Sequence, residues 1–325
     1  MCGILYVVMP LPRRITYEPV VSKTVLNKVN APSMPFEWSI NPYRGCQHGC
    51  SFCYARATHT FLGMEADDTF QNHIFLKTNA ARALEEQLNR LLRSRGGRKQ
   101  IGHIAIGTAT DPYQPAEAKA FLTRQCLEVL AKFRIPASIT TRSPLILRDL
   151  DLLRRIPQVS VNISANTLDL KIWRNMEPST PSPLMRLKAV RRLAEAGIPA
   201  GIFLAPILPL LTDRPESLKA VIEAAAEHRA QFVMPSFLRF NRMEVKVWFF
   251  RNLQLVYPHL TEAYGRLYRD SPTVPPAYRE PVMNEIRALL RRYGLSGSEP
   301  ISGQNRAETE SDGSEAAPVQ LSFMF

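Results

Sequence analysis

A chain of 325 residues is long enough to bury a full α/β core. With 45% hydrophobic and 22% charged residues, and no apolar run near the roughly 18 to 20 residues of a spanning helix, the composition argues against wholesale disorder and against membrane insertion. Lysine and arginine outnumber the acids 41 to 29, and the excess is uneven: 40 basic and 24 acidic residues precede Ser296, a formal +16. A body this basic is expected to attract polyanions, nucleic acid first. The short apolar start precedes Arg13 and Arg14, the reverse of a signal peptide's order, so a cytoplasmic location is expected.

In chain order, residues 1–36 carry Pro10, Pro12, Pro19, Pro32 and Pro35 without a sustained period and read as an extended arm. From residue 37 the texture changes. A first strand is expected at 37–40, and short β-branched runs follow at 101–107, 135–141, 159–165, 199–205 and 231–237. Helical patterns lie between them at 81–94, 122–133, 182–197 and 216–229. Six strands alternating with helices imply βαβ units and a parallel sheet, too few for a closed eight-fold barrel. An open partial barrel and a doubly wound sheet both remain, and in either the chemistry belongs at the C-terminal ends of the strands. After Phe240 the strand signals stop: 246–268 and 281–294 read as helices of an appendage spanning 241–295, and 296–325 as a disordered acidic tail.

Three of the five cysteines, Cys46, Cys50 and Cys53, fall in NPYRGCQHGCSFCYAR with C-x3-C-x2-C spacing. Clustering and an odd count argue against a disulfide framework and for a metal or cluster. Gly45 and Gly49 supply the tight backbone that wraps sulfurs around one centre. A Cys3His zinc site completed by His48 or His59 is the competing reading, although structural zinc ligands come as two separated pairs and this triplet follows the first strand. Three thiolates on a four-iron cluster leave one iron without a protein ligand, a place for chemistry.

The triplet, with aromatic Phe52 before its last cysteine, resembles that of the radical S-adenosylmethionine enzymes. Its flanks NPYRGC and CYAR, then GTATDPYQPAE, ITTRSPLILRDLDLL and SANTLD, resemble the branch grouped with spore photoproduct lyase and often labelled DNA repair photolyase. The resemblance covers about residues 36–240. It implies a partial (β/α)6 TIM-type barrel, a [4Fe–4S] cluster on Cys46, Cys50 and Cys53, and S-adenosylmethionine chelated to the open iron and split by an electron from an electron-donor protein. The radical so formed takes hydrogen from a substrate. It also implies that strand-end residues line the cofactor pocket, here Phe52, Gly107, Thr108, Thr110, Asp111, Thr141, Arg142, Asn162 and Ser164. Arg142 would hold the carboxylate and strand four the ribose. Asp111, Tyr113 and Arg142 are the catalytic candidates, and Tyr113, Gln114 and Glu117 are expected to face substrate. Spore photoproduct lyase uses a further cysteine as hydrogen donor. Cys126 shares a helical face with Leu122, Leu130 and Phe133 and is expected as a core thiol, which leaves Cys2.

The expected function is therefore a radical enzyme acting on a nucleic-acid base in DNA repair or modification. The alternatives are a non-catalytic iron–sulfur or zinc protein that binds nucleic acid, and a radical enzyme acting on a protein or peptide. Arg90, Arg93, Arg95, Arg98 and Lys99 are a candidate phosphate patch, and Trp173, Trp248, Phe249 and Tyr257 are aromatics able to stack on bases or to pack.

The last six residues break the tail's polar composition. Gln320, Leu321, Phe323 and Phe325 resemble the Q-L-x-L-x-F peptides that bacterial repair proteins insert into the replicative sliding clamp, with Phe323 in place of the second leucine. Three apolar side chains can fill pockets while Gln320 bonds at the rim. A synthetic 316–325 peptide is expected to bind purified clamp at micromolar strength and to lose binding when Gln320 and Phe325 are alanine. Absence of binding by the unaltered peptide refutes the reading.

Overall fold

The computed structural model describes residues 15–30 and 34–300. Cys2, most of the acidic tail and the candidate clamp peptide lie outside the described residues. The strands are β1 (Thr16–Val20), β2 (Leu26–Lys28), β3 (Trp38–Ile40), β4 (Tyr43–Arg44), β5 (His73–Lys77), β6 (Ile104–Ile106), β7 (Ala137–Thr141), β8 (Ser160–Ser164), β9 (Ala200–Ile207) and β10 (Val233–Phe237).

The large sheet runs β2-β3-β6-β7-β8-β9-β10, and the six strands from β3 to β10 are parallel neighbours in chain order. Consecutive parallel strands joined by crossovers of one hand curl into an open barrel, so the architecture is a partial (β/α)6 TIM-type barrel. Its core is built from strand faces such as Ile139, Val161, Ile163 and Ile202 against helix positions such as Leu84, Leu127, Leu187 and Val221. Strand alternation puts Ser160, Asn162 and Ser164 on the other face of β8, inside the barrel, where all three are buried.

Residues 15–30 of the arm are more ordered than its prolines suggest. β2 pairs antiparallel with β3 and extends the sheet, and Gln87 of the helix Ala80–Arg93 holds it there: Val25 N donates to Gln87 Oε1 at 2.7 Å, and Gln87 Nε2 donates to the Leu26 carbonyl at 2.9 Å. β1 joins β5 and β4 in a second, three-stranded sheet. β5 lies in the segment after the cysteines, where no strand was expected; it is short and flanked by polar residues, which hides its period.

The C-terminal helices are walls of the body. Ile286, Leu289 and Leu290 of the helix Pro276–Tyr293 belong to the main core. Val245, Phe249 and Leu253 of the helix Met243–Val256 form a second apolar cluster with Cys50, Phe52, Tyr264 and Tyr268. The helix expected over 246–268 is broken at Tyr257, because Pro258 has no N–H to continue the ladder; a separate helix, Thr261–Leu267, follows.

The tail begins ordered. β10 is the sheet's outer strand, and its free edge is taken by Ser296: Val233 N donates to the Ser296 carbonyl at 2.8 Å, and Ser296 N to the Gln231 carbonyl at 3.2 Å. Glu299 then enters the barrel, accepting from Ser160 Oγ and, at 3.1 Å, from Asn162 Nδ2. Burial raises its carboxyl pKa, and the two hydrogen bonds only partly oppose that. A carboxyl whose folded pKa lies above its unfolded one stabilises the fold below the unfolded pKa, and that contribution is lost as pH rises through the folded value. Chemical denaturation of wild type and Glu299→Gln at several pH values is therefore expected to show the variant gaining relative stability from pH 4 toward pH 7, by about 1 kcal/mol for each unit of raised pKa.

Candidate active site

The cysteine loop follows β3, at the C-terminal end of the parallel strands, where such barrels place their chemistry. Its shape depends on Gly45, whose φ of +81° is left-handed and whose absent Cβ would lie 2.6 Å from the His73 carbonyl oxygen. The Cys46 amide donates to the Phe70 carbonyl at 3.0 Å, and the Ser51 amide to the Met176 carbonyl at 2.9 Å, so both ends of the loop are anchored. Cys46 and Cys50 are buried, Cys53 is half-buried, and all three are free thiols. Burial raises the Cys46 thiol well above its usual value and pushes Cys50 up to about 12, so these sulfurs become thiolates only when a positive centre compensates.

The loop after β6 grips the cysteine loop. Thr110 Oγ1 donates to the Gly45 carbonyl at 2.6 Å, and Gln114 Nε2 to the same oxygen at 3.2 Å. Gln47 N donates to Gln114 Oε1 at 3.0 Å, and Ala116 N returns a bond to Gln47 Oε1 at 2.7 Å. Tyr54, next to Cys53, donates its hydroxyl to the Thr108 carbonyl, while Thr108 Oγ1 accepts from Asn41 at 3.0 Å. Gly107, at φ +92°, starts the turn, with the Thr140 carbonyl oxygen 2.4 Å from where a Cβ would sit.

Asp111 accepts three hydrogen bonds from protein donors. Its carboxylate accepts from Thr141 Oγ1 at 2.6 Å, Arg142 N at 2.8 Å and Tyr113 N at 2.9 Å, and His48 Nε2 stands 3.5 Å away. Asp111 and Thr141 thus clip the end of β6 to the end of β7. The pair also holds the backbone of Arg142, whose N–H donates to Asp111 Oδ2. Arg142 is the group turned toward the cysteines: its Cζ lies 5.7 Å from the Phe52 ring centroid, and its Nε is 3.3 Å from Glu177. Burial works against its charge, but Cys50, Glu177 and Asp111 together hold it protonated. Glu177 also meets Arg186 at 2.5 Å, and Arg186 Nη1 donates to the Ser164 carbonyl at 2.9 Å. Burial opposes the Glu177 charge, and Arg186 with Arg142 outweighs it and holds the carboxyl below its usual pKa.

Several expected site residues are turned elsewhere. Tyr113, Gln114 and Glu117 are fully buried and do not face substrate: Tyr113 donates to Asp149 at 3.1 Å, and Glu117 accepts from Tyr43 and, at 2.6 Å, from Arg148. Tyr113 is therefore a core residue. The amide nitrogen of Asn162 is directed toward the lower barrel by Glu299. Cys126 is completely buried in the core, as its helical face implied. Phe249 and Tyr257 are packed, and the Trp173 indole donates to Thr180 at 2.9 Å. Arg98 caps the end of the helix Leu122–Phe133 through the Phe133 and Arg134 carbonyls, at 2.8 and 2.9 Å, so the basic run 90–99 lies at the opposite end of the barrel from the cysteines. Sequence reasoning assigned no role to Arg56, Glu177 or Arg186. Arg56 stood in the quoted CYAR flank, whereas nothing near Glu177 marked it.

Against this donor set, zinc fits poorly. His48 is buried with neither ring nitrogen hydrogen-bonded, is pushed down to about pKa 4 by burial, and is directed to Asp111; His59 is on the His73 carbonyl at 3.2 Å. Three soft thiolates in one loop suit iron–sulfur ligation.

The comparisons agree with that chemistry. The Radical SAM superfamily profile matches residues 40–223, and the chain belongs to that family, an enzyme family whose cofactors are a [4Fe–4S] cluster and S-adenosylmethionine. An uncharacterized protein of Mycobacterium tuberculosis is 36% identical over 287 residues, covering 87% of this chain and 82% of that protein. A radical SAM Nalpha-GlyT isomerase of Pseudomonas phage M6 is 22% identical over 254 residues, covering 78% of this chain and 50% of the isomerase. Among solved structures, a spore photoproduct lyase variant with bound AdoMet and dinucleoside spore photoproduct shares the fold at TM-score 0.64 and 17% identity, over 85% of this chain and 79% of that one.

After anaerobic reconstitution, alanine at Cys46, Cys50 or Cys53 is expected to abolish the visible thiolate-to-iron absorbance, and Cys126→Ala to retain it. Thr110→Val, which removes the short bond to Gly45 without a change of shape, is expected to lower unfolding free energy by about 1–3 kcal/mol in denaturant titration.

Proposed function

We propose that this enzyme holds its cluster on Cys46, Cys50 and Cys53 and acts on nucleic acid, abstracting hydrogen from a base in DNA. When bound and reduced, the cluster supplies the electron that splits S-adenosylmethionine and so generates the hydrogen-abstracting radical. The chain's own residues do the rest. Arg142 and Phe52, near Cys50, would receive the carboxylate and apolar parts of S-adenosylmethionine. The clip from Asp111 to Thr141 keeps Arg142 in place, and burial of the loop excludes water.

The observation that carries the nucleic-acid reading is a cleft of roughly 600 Å³ lined by Tyr54, Ala57 and Ala109, with Tyr54 and Ala109 next in the chain to Cys53 and Thr108. Phe61, Phe240 and Met243 make its walls apolar; Arg242 and Arg269 stand along it with the carboxylate of Asp270, and Lys246 donates to the Tyr268 carbonyl at 2.6 Å. Two exposed arginines, Arg242 and Arg269, beside an apolar slot match a phosphate backbone with an unstacked base. The +16 body supports the same partner, as does the similarity in fold to a lyase whose structure holds a dinucleoside photoproduct.

Two measurements test the proposal. Reduced enzyme given S-adenosylmethionine and uniformly deuterated DNA is expected to place deuterium in 5′-deoxyadenosine; 5′-deoxyadenosine formed without deuterium, and with deuterium when a deuterated peptide or RNA replaces DNA, overturns the substrate class. DNA binding is expected to weaken with salt at a log–log slope of about −0.9 per phosphate contact, reduced by about that amount in Arg242→Ala or Arg269→Ala and unchanged in Arg95→Ala.

A further inference from the structure

Arg56 lies three residues beyond Cys53 and has no exposed surface. Its guanidinium is held by neutral groups: Nη1 donates to the Asp67 carbonyl at 2.5 Å, and Nη2 to Gln71 Oε1 at 2.6 Å and to the Cys50 carbonyl at 3.3 Å. The Trp248 ring lies 4.3 Å from Cζ and the Phe70 ring 5.5 Å, and Nε has no partner. Two other arginines around the loop, half-buried Arg142 and buried Arg186, share the carboxylate of Glu177, at 3.3 and 2.5 Å. Among the described residues no carboxylate lies within ion-pair reach of Arg56.

An arginine does not shed its charge, and an uncompensated buried cation costs several kcal/mol. A fold that keeps one must bring an anion near. Burial works against the Arg56 charge, and the groups acting in its favour are Cys53, Cys50, Asp68 and Cys46, three of them the cysteines of the loop. A four-iron core on three thiolates is anionic and grows more so when it takes up an electron, and its reduction potential follows net charge and hydrogen bonding around it.

We infer that Arg56, covered by Trp248, is the buried counter-charge of the cluster and a positioning residue that sets how readily the cluster is reduced. The aromatic cover keeps water from screening the charge, and the bond to the Cys50 carbonyl fixes its distance from the loop. This role rests on the assignment of the cluster to the three cysteines and assigns the C-terminal helix Met243–Val256, through Trp248, a part in electron uptake.

The test is a redox titration of the full-length reconstituted protein followed by electron paramagnetic resonance, in wild type, Arg56→Gln and Arg56→Lys. Gln keeps a donor for the Cys50 carbonyl and removes the charge; Lys keeps the charge. At a fixed potential the ratio of reduced to oxidised cluster is expected to fall about tenfold in Arg56→Gln, equivalent to about 59 mV, and to return most of the way in Arg56→Lys. A Gln variant that fails to load the cluster while the Lys variant loads it supports the same role. Equal titration of Arg56→Gln and wild type overturns it, as do equal shifts in both variants or loss of the cluster from both, because shape rather than charge then matters. A wild-type protein without a four-iron signal overturns the cluster assignment itself, and this inference with it.

Discussion

The carbonyl oxygen of Gly45 has two lone pairs and both are used, by Thr110 Oγ1 and Gln114 Nε2 from the loop after β6. Buried where water cannot reach, that oxygen would cost about 1–3 kcal/mol if either loop moved away, and the reciprocal pair of Gln47 and Gln114 repeats the demand two residues later. The cysteine loop therefore cannot relax independently of the second βα unit. Through Asp111 the same constraint reaches β7, and through Arg142, Glu177 and Arg186 it reaches the Ser164 carbonyl on β8. A polar chain thus circles the upper rim of the barrel, and the three thiols hang from its first link.

Charge is distributed with equal economy. Arg56 and Arg186 are buried around the cysteines, where the proposed cluster would bring negative charge, and Arg242 and Arg269 are exposed along the cleft, where the proposed nucleic acid would approach. The basic run at residues 90–99, the densest in the sequence, lies at the far end of the barrel. Density along the chain is a poor guide to function here, because a βα unit returns the C-terminus of every helix to the end away from the chemistry.

The parts of the fold legible in the sequence were those with a strong period. Six β-branched runs and the helices between them appear within a few residues of their expected places, since burial on both faces leaves little freedom in composition. The cysteine triplet was legible because its spacing is chemical. β1, β2 and β5 were not, being short and held by side chains from elsewhere, such as Gln87. Asp111 was legible as a polar strand-end residue, but its three donors from residues 113, 141 and 142 were not, since they meet it only where the ends of β6 and β7 adjoin. Tyr113 and Glu117 failed for a related reason, as polar residues in a motif can be there to satisfy one another. Glu177, Arg186 and Glu299 meet their partners only through tertiary structure.

The central claim is that protein hydrogen bonds shape the cysteine loop before any cofactor arrives. Amide hydrogen exchange in the metal-free, reduced protein measures this directly at Gln47 and Ala116, whose N–H groups are the two halves of the reciprocal pair. The account predicts that both exchange as slowly as barrel-strand amides such as Val161 and quicken together in Gln114→Ala. Exchange of Gln47 and Ala116 at the rate of an open loop, with protection only after iron and sulfide are supplied, would show that the cluster shapes the loop and would contradict the account.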